Sequence, residues 1–236
     1  MRVCLYTALY GDYDVLRPVM PQAWDDPSTS SGHADCIAFT DRSSNAEGWQ
    51  VIVTPRPEPH PRMQAKYFKL NPHECLRDYD LSVWVDASLR VHSPHLVRDL
   101  ARYVNPSTGS GAPVAFFPHR WRTTLADELA AHLPLRKYAG LPIREQVASY
   151  FADGYAEQTP LLECTCLVRR HNNRAVREMD EAWWQENLRW TYADQLSLPY
   201  VLWKMSRDVP PERLYTRLPF NLDEQPWFRW ATWRDD

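Results

Sequence analysis

Asp86 and Ser88 follow directly on the apolar stretch Leu81 to Val85 in the sequence DYDLSVWVDASLRV. A carboxylate and a hydroxyl at this spacing are oxygen ligands of the kind that Mg²⁺ and Mn²⁺ take, usually together with substrate phosphates. An aspartate that ends a strand is also a common turn former. The pair therefore indicates either a metal site or an ordinary turn, and the residues alone leave both interpretations open.

Three basic residues share one face of a predicted helix. Arg62, Lys66 and Lys69 fall at positions i, i+4 and i+7 of the segment PRMQAKYFKLN, and this spacing puts them side by side. Three neighbouring cations repel one another unless an anion or an acidic group lies close. A diphosphate would satisfy them, and a solvated helix face is the alternative.

Polar residues also follow the first two predicted strands. The segment LYTALYGDYD carries Thr7, Tyr10 and Gly11, and Asp41 follows the strand that ends in FTD. Neither a P-loop nor a G-x-G-x-x-G pattern is present. Backbone groups and the tyrosine ring could nevertheless hold a nucleotide, and Asp41 could accept hydrogen bonds from hydroxyl or base N–H groups. A plain strand-turn connection is the alternative.

Further candidates stand near other strand ends and at a helix start. The segment FFPHRWR places His119, Arg120 and Arg122 beyond a strand, and YADQLS offers Asp194 and Gln195 at the start of a helix. Asp194 could equally be a helix cap.

Glu163 stands inside an apolar strand. Glutamate is uncommon in such positions, so we expect it either to pair with an arginine or to be functional.

Apolar runs and helix-periodic segments alternate along the chain. This alternation favours an α/β fold with a mostly parallel sheet covered on both faces, and ligands of such sheets bind at the carboxyl ends of the strands. A strand can therefore be buried along its length and still deliver Asp86 to a site. The predicted strands are 2–8, 36–40, 49–53, 81–85, 113–117 and 161–170, and the predicted helices are 61–71, 93–104, 123–133, 143–154, one after Asn172 or Asn173, and 194–204.

The bulk composition limits the remaining possibilities. The chain has 236 residues, 44% of them hydrophobic, and a formal net charge of -3, so one domain is expected and nucleic-acid binding gains no support from charge. The sequence has no apolar run long enough for a membrane span and no signal-peptide pattern, and we expect a cytoplasmic protein whose five cysteines are reduced thiols. Patterns of serine hydrolases, cysteine hydrolases and zinc proteases are missing from the sequence.

The C-terminal segment 219–236 is rich in tryptophan. Trp227, Trp230 and Trp233 recur at every third position there. They could form a lid or an acceptor platform, and packing on the body of the protein is the favoured alternative.

Several of these segments together resemble a known family. The sequence is similar to a glycosyltransferase-like domain family related to plant mucilage proteins, formerly a domain of unknown function. The resemblance implies a single GT-A-like α/β/α sandwich over residues 1–236 and a glycosyltransferase that uses a nucleotide-diphospho-sugar, with UDP as the expected nucleotide. It rests on YTALYGDYD, FTD, RMQAKYFKLNPHECLRDYDLSVWVDASL, FFPHRWRTTLADE, EQVASYFADG, LLECTCLVRRHNN, WWQE and DQLSLPYVLWK.

The resemblance also implies roles for individual residues. GT-A enzymes hold Mn²⁺ or Mg²⁺ through a D-x-D motif, and here Ser88 stands at the position of the second carboxylate. The implied roles are nucleotide binding for Thr7, Ala8, Tyr10, Gly11 and Asp41; diphosphate binding for Arg62 and Lys66; metal or sugar binding for Asp86 and Ser88; catalysis for Glu163 and Asp194; and contact with the substrates for His119, Arg122 and Gln195.

Two other functions remain open at this stage. A hydrolase on the same fold would use water in place of an acceptor hydroxyl, and a carbohydrate- or nucleotide-binding module would bind without turnover. A nucleic-acid acceptor is a further possibility, which the net charge of -3 does not favour.

Overall fold

The computed structural model describes residues 1–24, 32–55, 58, 60–106 and 111–230, and its centre is an eight-stranded sheet. The strand order is β2-β3-β1-β5-β8-β7-β9, with β4 also paired to β3, and β6 and β10 form a separate two-stranded ribbon. The strands are β1 (Val3–Leu9), β2 (Gln22–Ala23), β3 (His33–Thr40), β4 (Gln50–Val53), β5 (Leu81–Val85), β6 (Leu89–Val91), β7 (Val114–Pro118), β8 (Leu162–Arg169), β9 (Tyr215–Arg217) and β10 (Phe228–Trp230).

Helices cover the two faces of this sheet. They are α1 (Pro61–Leu70), α2 (Pro72–Cys75), α3 (Leu96–Ala101), α4 (Leu125–His132), α5 (Ile143–Ala152), α6 (Arg174–Arg189), α7 (Asp194–Met205) and α8 (Pro211–Leu214), with short 3₁₀ turns at Arg136–Tyr138 and Leu222–Glu224. The predicted α/β fold with a mostly parallel sheet is confirmed.

Strand direction brings the candidate residues to one edge. β1 pairs in parallel with β3 and β5, so these three strands end on the same side of the sheet. β8 runs antiparallel to both β5 and β7, with Val85 opposite Cys166 and Phe117 opposite Glu163. The beginning of β8 therefore lies at the edge where β5 and β7 end.

The core explains why the central strands are apolar throughout. All residues of β1 are buried, and alternate side chains enter two separate clusters. Cys4, Tyr6 and Ala8 pack in the cluster that also holds residues of α1, α6 and α7, whereas Val3 and Leu5 pack with residues of α3. A strand buried on both faces loses the alternation of polar and apolar residues that marks a half-exposed strand.

Local signals fix several helix ends. Pro61 occupies the first turn of α1, where its missing N–H costs nothing. Asn173 caps α6 by accepting hydrogen bonds from the N–H groups of Ala175 and Val176, which settles the choice between Asn172 and Asn173. Asp194 is the first residue of α7, and no side chain caps this helix. Asp194 therefore does not act as the helix cap that was one interpretation of the sequence.

The described part of the tryptophan-rich tail packs on the body of the protein. Trp227 and Phe228 are buried, the indole N–H of Trp227 donates to Asp99 at 3.1 Å, and β10 pairs with β6. Trp233 lies outside the described residues. No helix in the described ranges is long and apolar enough to cross a membrane.

Candidate functional site

Asp86 stands directly after β5, at the edge where the parallel strands end. Its Oδ1 accepts hydrogen bonds from the indole N–H of Trp84 at 2.7 Å and from the ammonium of Lys69 at 3.5 Å. Its backbone N–H donates to the carbonyl of Thr165 at 2.8 Å, and its side chain is 29% exposed. The strand-end carboxylate is therefore held on one oxygen and is accessible from solvent.

Two lysines of α1 meet one carboxylate of α7. The ammonium groups of Lys66 and Lys69 lie 2.8 Å and 2.6 Å from Oδ2 of Asp194. The Lys69 side chain is fully buried, at 0% exposure. The basic face that the sequence predicted for α1 thus points inward to the edge of the sheet, and an acidic group compensates part of its charge.

These ion pairs change the proton affinities of their members. Burial alone would raise the pKa of Asp194, but Lys66 and Lys69 hold that pKa well below its usual range. Burial would likewise lower the pKa of Lys66, yet the carboxylates of Asp194 and Asp86 raise it above its usual value. Because its carboxylate binds protons so weakly, Asp194 is a poor base. Its contacts with Lys66 and Lys69 suit it to holding these two side chains in position.

Two further cations lie beside these pairs. The guanidinium of Arg62 stacks on the ring of Tyr13, 4.0 Å from its centroid. Burial is the main cause that lowers the pKa of Lys137, and the positive charges of Arg62 and Lys66 lower it further. The carboxylates of Asp86 and Asp194 raise this pKa, but by less. Lys137 belongs to a 3₁₀ turn without helical periodicity, so no sequence pattern pointed to it.

We refer to Arg62, Lys66, Lys69 and Lys137 as the cation cluster. Arg62, Lys66 and the carboxylates of Asp86 and Asp194 all act on Lys137, and Glu128 of α4 interacts with it as well. The four cations of the cluster outnumber the carboxylates of Asp86, Asp194 and Glu128 that act on its members.

The loop after β1 is tied to the end of β3. Gly11 has a φ of 73°, and its N–H donates to Oδ2 of Asp41 at 3.0 Å. The guanidinium of Arg42 also donates to the Gly11 carbonyl. Asp41 thus fixes the backbone of this loop, which is a different contact from the predicted one to a base or ribose.

Thr7 lines a cleft at the end of β1. The cleft is bordered by Arg17, Trp49 and Asp86 among others, and the buried hydroxyl of Thr7 has no hydrogen-bond partner in the described part of the chain. An unpaired buried hydroxyl is costly, so a ligand group that bonds it would gain affinity. The side chains of Ala8 and Tyr10 instead pack in the core beneath α1, and only their backbone could face a nucleotide.

Glu163 is paired with an arginine, one of the two outcomes that the sequence suggested. Its Oε2 accepts from Nε of Arg120 at 3.1 Å, and its Oε1 accepts from the hydroxyl of Thr165 at 2.5 Å. The guanidinium of Arg120 lies 4.2 Å from the ring centroids of both Trp121 and Trp230.

His119 and Arg122 form a second polar group with Glu128 of α4. Nδ1 of His119 accepts from the backbone N–H groups of Trp121 at 3.3 Å and Arg122 at 3.1 Å. Burial, followed by the charges of Arg122 and Arg120, lowers the pKa of His119 to about 4. The imidazole is therefore neutral, and Arg122 is bonded to Glu128.

Gln195 joins α7 to β8. Its amide oxygen accepts from the N–H of Cys164 at 3.1 Å, and its amide nitrogen donates to the Leu162 carbonyl. Both ends of the amide are therefore engaged with backbone, and the predicted substrate contact by Gln195 stays a prediction.

The residues at this edge fit a resident divalent cation poorly. In the described parts of the chain, no group of three or more His, Cys, Asp or Glu residues could hold a metal ion. The carboxylate of Asp86 already has the Lys69 ammonium 3.5 Å away, and that charge repels a second cation. Ser88 offers a neutral hydroxyl in place of a second carboxylate, so it adds no negative charge to hold the ion.

Comparison with known proteins identifies the family. No curated protein matches the chain. Residues 19–217 match the family described as TOD1/MUCI70, glycosyltransferase-like domain. This range includes most of the site, from Asp41 to Gln195, and it supports a general glycosyltransferase-type function, with a sugar donor and an acceptor. The matched range covers most of the chain, which therefore belongs to the TOD1/MUCI70 glycosyltransferase-like domain family.

Proposed function

We propose that the protein transfers a sugar from a nucleotide-diphospho-sugar to an acceptor hydroxyl. The family supports a transferase of this general type. The observation that carries the proposal is the cation cluster at the carboxyl edge of the sheet, where Lys66 and Lys69 bond to Asp194 and the charges of Arg62 and Lys66 act on Lys137. The excess charge of this group matches the negative charge of a diphosphate.

The cation cluster would act on the leaving group. Breaking the bond between the sugar and the phosphate leaves the electron pair and the negative charge on the diphosphate. Fixed cations that face this charge lower the barrier, because they need no reorganisation as the charge develops. Lys66 is held in place by Asp194 at 2.8 Å, and Arg62 is held by the Tyr13 ring, so both are oriented before the donor binds.

The small cleft beside β1 would border the nucleoside and offer it polar contacts. Its lining includes Thr7, Trp49 and Asp86, and the unpaired hydroxyl of Thr7 is suited to a ribose or base hydrogen bond. With the diphosphate against Lys66 and Arg62, the sugar would extend along the edge toward Glu163. The loop around Gly11, fixed by Asp41, would border the nucleotide.

Glu163 is the better placed of the two proposed catalytic carboxylates. Both lysines bond to Asp194, which therefore accepts protons poorly. Glu163 has one ion pair, with Arg120, and in the proposed reaction it takes the proton of the acceptor hydroxyl. The new glycosidic bond forms as the bond to the diphosphate breaks.

Calorimetric titration with UDP, GDP and their sugar conjugates tests the proposal. We expect one nucleoside diphosphate to bind the wild type, and Lys66→Gln to weaken that binding by about tenfold because one charge-assisted contact is lost. Arg174→Gln is the matched control, because the Arg174 side chain is 87% exposed at the start of α6, where it pairs with Glu178. Failure of every nucleotide to bind, or equal binding by Lys66→Gln, would contradict the proposal.

Turnover of the bound donor separates the three functions. A transferase forms a product that joins sugar and acceptor, and its donor consumption rises with acceptor concentration. Release of free sugar at a rate that no acceptor changes would identify a hydrolase. Binding without any turnover would identify a binding module.

A further inference from the structure

Trp121 is the most exposed large hydrophobic side chain in the described ranges, at 69% exposure. An indole in water forgoes the free energy that its burial would bring. Trp121 follows β7 closely, at the edge of the sheet that carries Asp86 and Glu163. Its position therefore places a solvent-exposed aromatic side chain beside the candidate site.

A second tryptophan from a distant part of the chain completes the arrangement. Trp230 of β10 is 37% exposed, and the guanidinium of Arg120 lies between it and Trp121, 4.2 Å from each ring centroid. Pairing of β10 with β6 holds Trp230 at this place. We call Arg120, Trp121 and Trp230 the aromatic subsite.

Continuous contacts join the aromatic subsite to the strand end of β5. Arg120 bonds Glu163 at 3.1 Å, and Glu163 accepts from the Thr165 hydroxyl at 2.5 Å. The carbonyl of Thr165 accepts from the N–H of Asp86 at 2.8 Å. The aromatic subsite is thus bonded directly to Glu163 and joined through Thr165 to Asp86 at the reacting edge.

The chemistry of the aromatic subsite matches a sugar ring. An indole face packs on the C–H groups of a sugar, and the guanidinium and carboxylate beside it offer a donor and an acceptor to sugar hydroxyls. The charge of Arg120 is already balanced by Glu163, so the subsite has no spare cation for a polyanion. A neutral saccharide fits this combination better than a nucleic acid, whose binding depends on cations that neutralise phosphates.

We propose that the aromatic subsite binds the acceptor and that the acceptor is a saccharide chain. This inference rests on the proposed transferase function. One residue of the chain stacks on Trp121, and the next presents its hydroxyl to Glu163.

Ligand-observed NMR with cellotetraose, xylotetraose, maltotetraose and chitotetraose, each in the presence of UDP, tests the proposal. We expect at least one tetrasaccharide to bind the wild type and Trp121→Ala to weaken that binding by about tenfold. Trp230→Ala gives a second variant, checked by circular dichroism for intact folding. Phe151→Ala is the matched control, because Phe151 is a 40% exposed ring on α5, and it should bind as the wild type does.

The outcomes separate this proposal from the transferase proposal. UDP affinity is measured on the same samples, and Trp121→Ala should retain it. If UDP binds but no tetrasaccharide does, or if both tryptophan variants bind saccharide normally, the aromatic subsite is refuted and the transferase proposal stands. Tighter binding of a single-stranded oligothymidylate than of any tetrasaccharide would also refute it. Failure of the wild type to bind any nucleotide would overturn the transferase proposal instead.

Discussion

Lys69 supplies a positive charge beside the carboxylate of Asp86. Its buried ammonium lies 3.5 Å from Oδ1 of Asp86 and 2.6 Å from Oδ2 of Asp194. A positive charge fixed there disfavours a second cation on Asp86, although Asp194 compensates part of it. Donor binding should therefore depend on the lysines of α1 more than on a divalent ion.

We accordingly expect chelation to leave nucleotide binding unchanged. The dissociation constant for UDP should differ by less than about twofold between EDTA and Mn²⁺, and calorimetry measures it directly. Lys69→Met is informative as a comparison, because removal of the ammonium should allow Mn²⁺ to raise affinity. A loss of tenfold or more for the wild type in EDTA would contradict the assignment and restore the metal role predicted for Asp86 and Ser88.

We expect Asp194 to contribute to the stability of the fold more than to catalysis. Asp194→Asn leaves the fully buried Lys69 without its closest carboxylate, and an uncompensated buried charge costs about 3–5 kcal/mol. Lys66→Met keeps the pair between Lys69 and Asp194 and should cost less. Urea unfolding measures both free energies, and a loss below about 1 kcal/mol for Asp194→Asn would show that the ion pair is not what holds α1 against α7.

At the scale of elements, the conformation of the loop after β1 depends on one glycine. Gly11 has a φ of 73°, and a Cβ on it would meet Cβ and Cγ of Pro61 at 3.0 Å. Gly11→Ala should therefore move the loop away from the first turn of α1. Because that turn carries Arg62, the substitution should weaken nucleotide binding as well as stability.

Gly140→Ala is the matched comparison for this prediction. Gly140 has a φ of 77°, and nothing lies within 4 Å of a Cβ placed there. Both substitutions pay the backbone cost of about 1 kcal/mol, and only Gly11→Ala adds the contact with Pro61. Thermal and urea unfolding of the two variants should rank Gly11→Ala as clearly less stable, and equal stability would show that Pro61 gives way.

Local sequence signals predicted most elements well and strand direction poorly. The run Leu81–Val85 is β5 with the predicted bounds, because an apolar stretch between polar residues has few alternatives. The spacing of Arg62, Lys66 and Lys69 put them on one face of α1, although the carboxylate they share comes from α7 and no local pattern could reveal it. The antiparallel direction of β8 depends on its partners, and an apolar run reads the same in either direction.

At the scale of the whole molecule, the alternation of apolar strands and amphipathic helices in the sequence predicts the α/β sandwich. It does not predict the shortest strands. Strands that are apolar on both faces, together with amphipathic helices, favour a sheet with helices packed on each face. The short strands β2, β6, β9 and β10 have two or three residues each, too few to show a period. The pairing of β10 with β6 brings Trp230 onto Arg120, so this part of the site depended on a feature that the sequence could not display.

Buried neutral histidines should make the whole fold sensitive to acid. Burial is the first cause that lowers the pKa of His119, His132 and His171 to about 4 each, whereas the unfolded chain titrates near its ordinary value of about 6.5. Between these two values the unfolded state binds more protons than the folded state. Stability should therefore be complete above about pH 6.5 and fall toward pH 4, by up to about 1.4 kcal/mol per pH unit for each histidine.

Comparison of variants isolates this effect from other titrating groups. Burial raises the pKa of Asp180 to about 7 against the opposing charge of Arg169, and this carboxyl acts in the opposite direction over the same pH range. His171 bonds Ser82 at 3.0 Å and the Leu76 carbonyl at 2.9 Å, and His171→Gln removes its protonation while it keeps a polar side chain there. Urea unfolding between pH 4 and 7 should give a shallower pH dependence for His171→Gln than for the wild type, and the exposed His95→Gln should behave as the wild type. An unchanged slope in His171→Gln would mean that His171 is charged in the folded protein, which the complete burial of its ring argues against.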